Sequence, residues 1–245
     1  MTERRYYTQQ TSCQIPDLWF LLATFLGERE TGTFVEIGAH DGVYVSNSWG
    51  LAERGWAGVM VEPIPALAEL CRANHRHHPA VRVIESAVGG PGTSTLTMTN
   101  AGALSTARPD LLNEYLRQSW LREHDIVSTI EVRCITLDEL LSQMTLETAT
   151  AIDLLIIDVE GSEAEVLAGF DLARWKPSML IIELSNVHPE LTVTGPADAA
   201  LEQQILSHGY RTVQKDRINT VFVHDELWLR TYGLPENSGS TVSAE

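Results

Sequence analysis

Apolar and polar positions along this chain fall into blocks that switch between two periods. Short apolar runs at 33–37, 57–62, 81–86, 152–158 and 178–184 predict strands. Stretches with apolar residues three and four apart at 44–54, 65–75, 137–144, 162–169 and 197–208 predict helices. Strand and helix in turn imply a parallel sheet covered on both faces. Ile152–Asp158, IDLLIID, is apolar on both faces, as a central parallel strand requires, and Met179–Glu183, MLIIE, has the same character. Pro16–Glu28 places Leu18, Trp19, Leu22, Phe25 and Leu26 at helical spacing, with Pro16 suited to a first turn. Thr136–Glu139 and Ser162–Glu165 read as capping boxes that open two helices. Tyr210–Lys215 and Thr220–His224 flank Asp216–Asn219 and predict a terminal hairpin. The expectation is an α/β fold: doubly wound, with a mostly parallel seven-stranded sheet and a terminal antiparallel hairpin.

One stretch breaks the alternation. Within 90–127, Thr93–Thr99 fits an edge strand, Asn100–Pro109 is a small-residue loop and Leu111–Leu121 has a helical pattern. An excursion of this length between core strands predicts a lid or substrate wall. The expected organisation is an N-terminal segment and helix over 1–30, a catalytic domain over 31–234 and a disordered tail over 235–245. Histidines 75, 77 and 78 end a helix and are expected at the surface, where a cation suits the helix dipole.

Composition narrows the classes. The chain has 245 residues, 33 acids against 17 bases, and a formal charge of −16. Such a surface repels phosphate backbones and anionic membranes, so neither nucleic acid nor membrane is an expected partner. Cys13, Cys71 and Cys134 lie far apart and form no CxxC, which predicts idle thiols in a reducing compartment. MTERRYYTQQ lacks the apolar core of a signal peptide, and Trp19–Leu26 is too short for a span. A cytoplasmic protein is expected, with homo-oligomerisation left open.

Ligands of open α/β sheets bind beyond the carboxyl ends of the strands. The first strand runs into a turn bearing Gly38 and Gly42, with Ala39, His40 and Asp41 between. Glycines there would let the backbone approach a ligand closely. The second strand ends on Glu62, 20 residues after Gly42, an acid placed to accept two hydrogen bonds from a ribose diol. The turn is not GxGxxG, so a nucleoside without phosphates, such as S-adenosylmethionine, fits better than NAD. Further along the same edge stand Ser86 and Ala87, then Asp158 and Glu160, then Glu183, Asn186 and His188.

With EIGAHDGVYVSNSW (36–49), GWAGVMVEP (55–63), ITLDELL (135–141) and IDLLIIDVEGSEAEVLAGFD (152–171), the chain resembles the FkbM-type S-adenosylmethionine-dependent methyltransferases, Rossmann-like class I enzymes. The likeness spans about residues 6 to 225, and DVEGSEAEVLAGF (158–170) is its most specific piece. It implies O-methylation of a sugar or small-molecule acceptor. It also implies that Glu36, Gly38, Asp41 and Gly42 line the methionine end of the cofactor, with Ser46 and Asn47 at its carboxylate or amine. Glu62 would hold the ribose, Ser86 and Ala87 the adenine, and Asp158 the cofactor amine or a metal.

Other readings stand beside these. Asp41 also fits a turn residue and Glu62 a solvated strand end. Asp158, Glu160 and Glu183, with Asn186, make a ligand set for Mg²⁺; alternatively Glu160 serves amides at the start of helix 162–169. Glu139 and Glu165 are assigned to the capping boxes. His188 leads as general base, with His40 second and Asp158 also among the catalytic candidates. Two classes compete with a methyltransferase: a nicotinamide oxidoreductase on the same βαβ unit, and a non-catalytic module that kept the fold.

Overall fold

Runs of β-branched and aliphatic residues form a sheet that exposes neither face. The computed structural model describes residues 13–15, 17–27, 29–118, 121, 125–126, 128–143, 152–184 and 190–233. Helix α1 (Leu18–Leu26) leads into β1 (Thr33–Ile37), α2 (Trp49–Glu53), β2 (Ala57–Glu62), α3 (Pro65–Asn74) and β3 (Val81–Glu85). A smaller unit follows: β4 (Ala87–Val88), β5 (Thr95–Asn100), α4 (Pro109–Arg117) and β6 (Ser128–Ile135). The chain then returns through α5 (Leu137–Gln143), β7 (Leu154–Ile157), α6 (Glu163–Ala168), α7 (Leu172–Trp175) and β8 (Met179–Glu183). It closes with α8 (Gly195–Ser207), β9 (Tyr210–Lys215), β10 (Asn219–His224) and α9 (Asp225–Tyr232).

The main sheet has the order β3-β2-β1-β7-β8-β10-β9. Strands β3, β2, β1, β7 and β8 are parallel, and β10 runs antiparallel to both of its neighbours. This is the expected doubly wound, mostly parallel seven-stranded sheet. Successive residues of one strand serve opposite layers. Val35, Ile37, Leu155, Ile157, Leu180 and Ile182 pack with α5, α6 and α8. Phe34, Leu154, Ile156, Met179 and Ile181 pack with α1, α2 and α9. β1 connects toward β2 on one side while β7 lies on its other side, so the switch point falls between β1 and β7.

Several expectations need correcting. The helix expected at 44–54 begins only at Trp49. Asp41 Oδ1 accepts from the amides of Val43 and Tyr44, at 2.9 and 2.7 Å, and Val45 has a left-handed φ of 47°. These features hold 43–48 as a turn. The capping box at Ser162 is absent, because Ser162 makes no side-chain cap bond and Glu165 is exposed. The box at Thr136 is present, with reciprocal bonds of 3.1 Å to Glu139. β6, α7 and α9 form where the sequence pattern predicts no element. β6 pairs antiparallel with β5 and parallel with β4 in a three-stranded sheet beside the main one. The expected tail, 235–245, lies outside the described residues.

Candidate active site

The carboxyl ends of β1, β2, β7 and β8 open into a cavity of about 400 Å³, a volume suited to a small-molecule ligand. Gly38, Ala39 and His40 of the β1 turn form one side. The amides of Gly38 and Ala39 both donate to Val61 O, which ties the turn to β2. A Cβ on Gly38 would lie 1.7 Å from the carbonyl oxygen of Asp158, and one on Gly42 would lie 2.6 Å from His75 Nε2. Both glycines, at φ +87° and +74°, are therefore demanded by close approach of the protein's own chain.

Two buried acids end β1 and β2. Glu62 accepts from the amide of His40 at 2.9 Å with Oε2 and from Ile64 at 2.8 Å with Oε1. Each oxygen keeps a lone pair for a second donor. Glu36 accepts from Ser48 Oγ at 2.6 Å and from Ser46 Oγ at 3.5 Å. Burial pushes both carboxyls up to about 7, against the pull of these donors. Asn47 ties the N-terminal segment to this half: its Oδ1 accepts from Ile15 N at 3.3 Å, and its Nδ2 donates to Gln14 Oε1 at 3.1 Å. Gln14 Nε2 then donates to Asp158 Oδ2 at 3.3 Å.

Three acids end β7 and β8. Asp158, Glu160 and Glu183 each offer an oxygen within 4.8 Å of the other two. Burial first, then the neighbouring carboxylates, hold Glu160 and Glu183 well above the usual range. Glu160 is non-glycine at φ 54°, and the excursion between β4 and β6 braces it. Thr106 Oγ1 donates to Glu160 O at 2.7 Å, Arg108 Nη1 donates to Gly161 O at 3.0 Å, and Tyr115 Oη donates to Glu160 Oε2. Burial, Glu160 and Glu183 keep the Tyr115 phenol far above its ordinary range, so it stays a donor. Glu163, the first residue of α6, serves the loop that enters the helix: its Oε1 accepts from Val159 at 3.2 Å and Gly161 at 3.1 Å. Glu114 of α4 binds the amides of Thr192 and Val193, which brings Leu191 to the cavity wall.

A family model described as the methyltransferase FkbM domain matches residues 36–212, well over half of the chain. The chain belongs to the FkbM methyltransferase family. It therefore has the family's S-adenosylmethionine-dependent class and Rossmann-like fold. Comparison with curated proteins returned no match. Among solved structures, an O-methyltransferase from Bacillus cereus in complex with SAH superposes with a TM-score of 0.47 at 12% identity, covering 88% of this chain and 84% of that one. A precorrin-6y C5,15-methyltransferase from Geobacter metallireducens gives 0.43 at 11%, covering 91% of each. Aeropyrum pernix fibrillarin with bound S-adenosyl-L-methionine gives 0.42 at 10%, covering 82% and 70%. Likeness at this level says nothing of the acceptor.

The FkbM segments bring most of the sequence-predicted site together. Glu36, Gly38, His40, Ser46, Asn47, Glu62, Asp158, Glu160 and Glu183 all line the cavity. Asp41 and Gly42 do not; they shape the turn from behind. Ser86 and Ala87 line a small apolar recess of about 30 Å³ that shares Gly38, Pro63, Met98 and Val159 with the main cavity. His188 and Asn186 lie outside the described residues. Gln14 and Tyr115 line the cavity without a sequence signal, since each arrives from a remote segment. His75 is buried rather than superficial, with Nε2 3.0 Å from Gly42 O.

Proposed function

We propose that this FkbM protein methylates the oxygen of a neutral sugar or small-molecule hydroxyl, with the cofactor across the β1–β2 half of the cavity and the acceptor at the β7–β8 half. The observation that carries the reading is Glu62: buried, fixed by two amides, with a free lone pair on each oxygen. A ribose diol supplies the two donors that such an acid lacks. Bound there, S-adenosylmethionine brings an activated sulfonium methyl. Glu36, Ser46, Asn47 and the Gln14–Asp158 bridge would surround its amino-acid end. The recess of Ser86 and Ala87 would take the adenine edge.

At the other half, Glu160 is our choice of base, ahead of His40 and His188. Its carboxylate would take the acceptor hydroxyl proton as the acceptor oxygen gains the methyl and the sulfonium S–C bond breaks, leaving a neutral thioether. Tyr115 orients that carboxylate. A cation entering the cavity favours the ionised form of Glu160 and so readies it. No lysine or arginine lines the cavity among the described residues, which disfavours phosphorylated or carboxylated acceptors. Tyr44, Leu104, Leu191 and Ile218 offer apolar area for the acceptor's body. Three free cysteines and the acidic surface fit a reducing, cytoplasmic setting.

The spacing of Asp158, Glu160 and Glu183 favours one second reading: a divalent ion such as Mg²⁺ held by the three acids. Methyl transfer from labelled cofactor to a panel of hydroxyl acceptors, with and without EDTA, tests both. We expect transfer to oxygen, full activity in chelator and a loss of about 100-fold or more in Glu160→Gln. Activity abolished by EDTA and restored by Mg²⁺ would favour the ion. Full transfer by Glu160→Gln would remove it as base.

A further inference from the structure

The far side of the β1 turn is held by the end of α3. Asn74 Nδ2 donates to Asp41 O at 2.9 Å, and His75 Nε2 lies 3.0 Å from Gly42 O. His75 is 4% exposed, and the Gly42 Cα faces its ring so closely that a Cβ would lie 2.6 Å from Nε2. Behind His75 stands a second imidazole, with His78 Nδ1 3.0 Å from His75 Nδ1. His78 Nε2 in turn lies 3.6 Å from Glu53 Oε1 of α2. The Trp49 indole stands edge-on to both rings, at 4.9 and 5.1 Å.

Proton counting, with the cost of charging a buried ring, favours one arrangement. A carbonyl only accepts, so His75 Nε2 carries a hydrogen. A neutral imidazole then offers Nδ1 as an acceptor, which His78 meets with its Nδ1–H. For His78 to pair with the Glu53 carboxylate, 3.6 Å from its Nε2, that nitrogen must carry a hydrogen as well. A proton added to His75 Nδ1 would face the His78 Nδ1–H head-on. The groups around the pair are consistent with a neutral His75. Burial draws its imidazole below the ordinary range, against the Gly42 bond, and His78 acts in the same direction while Asp41 opposes it. Cys71, beside the same turn, is held as a thiol by burial and the nearby acids.

We propose that His75 is a positioning residue for the cofactor turn, locked as its Nε2–H tautomer by His78 and Glu53. Its bond fixes the back of a turn whose front, Gly38–His40, lines the cavity. The inference rests on the cofactor site proposed above. Leucine at 75 fills similar space but donates nothing, so it leaves Gly42 O without its partner. Glutamine at 75 restores an N–H donor without a titrating ring.

The test has two parts. The imidazole tautomers of the ligand-free protein are read by long-range ¹H–¹⁵N NMR, and S-adenosylhomocysteine affinity is measured by calorimetry. We expect neutral, Nε2-protonated His75 in the wild type and a mixed tautomer signal in His78→Phe. We expect the dissociation constant to rise about tenfold in His75→Leu and to stay within about threefold of wild type in His75→Gln. A His75 protonated on Nδ1, or His75→Leu binding as tightly as wild type, would overturn the proposal. If His75→Leu fails to fold, the wild-type tautomer and the glutamine rescue decide the matter. A wild type that binds no S-adenosylhomocysteine counts against the cofactor site, while the tautomer is read without ligand and judges the relay separately.

Discussion

Glu36 and Glu62 at the ends of β1 and β2 share one cavity with Asp158, Glu160 and Glu183 at the ends of β7 and β8, yet the two groups are held differently. The first pair has its oxygens bound to fixed amides and hydroxyls. The second group crowds three carboxylates within 4.8 Å, and Glu183 Oε2 is buried with no hydrogen-bond partner among the described residues. A satisfied acid is a preformed receptor for neutral donors such as a diol. An under-satisfied acidic cluster is at higher free energy until a proton, a cation or a reacting hydroxyl arrives. The contrast supports the proposed division, with recognition in one half and chemistry in the other.

The largest effect should come from the seam between the halves. Gly38→Ala would drive a Cβ into the Asp158 carbonyl and force β1 and β7 apart. A loss of about 3–5 kcal/mol is expected, or about 10 °C in melting temperature. An unchanged melting curve would show that the seam relaxes freely.

Next comes the cost of burying acids without a ligand. The carboxyls of Glu36 and Glu62 lie at about 7 in the folded protein, against an ordinary 4.5. Each holds its proton more tightly when folded. The stability this confers is fully present below about pH 4.5 and is lost as pH rises through about 7. The ligand-free protein should therefore be less stable at pH 7.5 than at 5.5, by about 2 kcal/mol for each acid. Glu36→Gln should remove its share of that slope. An identical slope in Glu36→Gln, followed by thermal melts across this range, would contradict the assignment.

The smallest effect concerns the wall. Thr106, Arg108 and Tyr115 already brace Glu160–Gly161, so closure should be confined to the turn Gly102–Ser105. Hydrogen exchange should show protection rising a few-fold there with cofactor product and acceptor bound. Equal and strong protection in both states would make the segment a fixed wall rather than a lid.

The strand ends are legible because short continuous aliphatic runs, buried on both faces and broken off by acids and turn residues, fit central parallel strands. Once the strands are placed, topology brings Glu36, Glu62, Asp158 and Glu183 to one edge. The parts that stayed hidden depend on distant segments. Tyr115 reaches Glu160 across 45 positions, and Gln14 reaches Asp158 across 144, so no local pattern announces either. The alternative reading of Glu160 makes it a partner of helix-start amides, but its Oε2 accepts from Tyr115, and Glu163 binds the amides of the loop that enters the helix. His75 reads as superficial because polar residues at a helix end face water by default. Only the glycine turn packed on it reveals the burial. β6 carries an alternation of Ile130, Val132 and Cys134 that was readable, but its partner β5 lies beyond an irregular excursion.

The division of labour across the cavity is tested most directly by calorimetric titration of S-adenosylhomocysteine into Glu62→Ala and Glu160→Gln beside the wild type. Loss of two charge-assisted bonds to the ribose should cost Glu62→Ala about 2–4 kcal/mol, a rise of roughly 30-fold to 1,000-fold in dissociation constant. Part of that cost reflects the His40 and Ile64 amides that also lose their acceptor. Glu160→Gln should bind within about threefold of wild type. Equal weakening in both variants, or wild-type affinity in Glu62→Ala, would contradict the account.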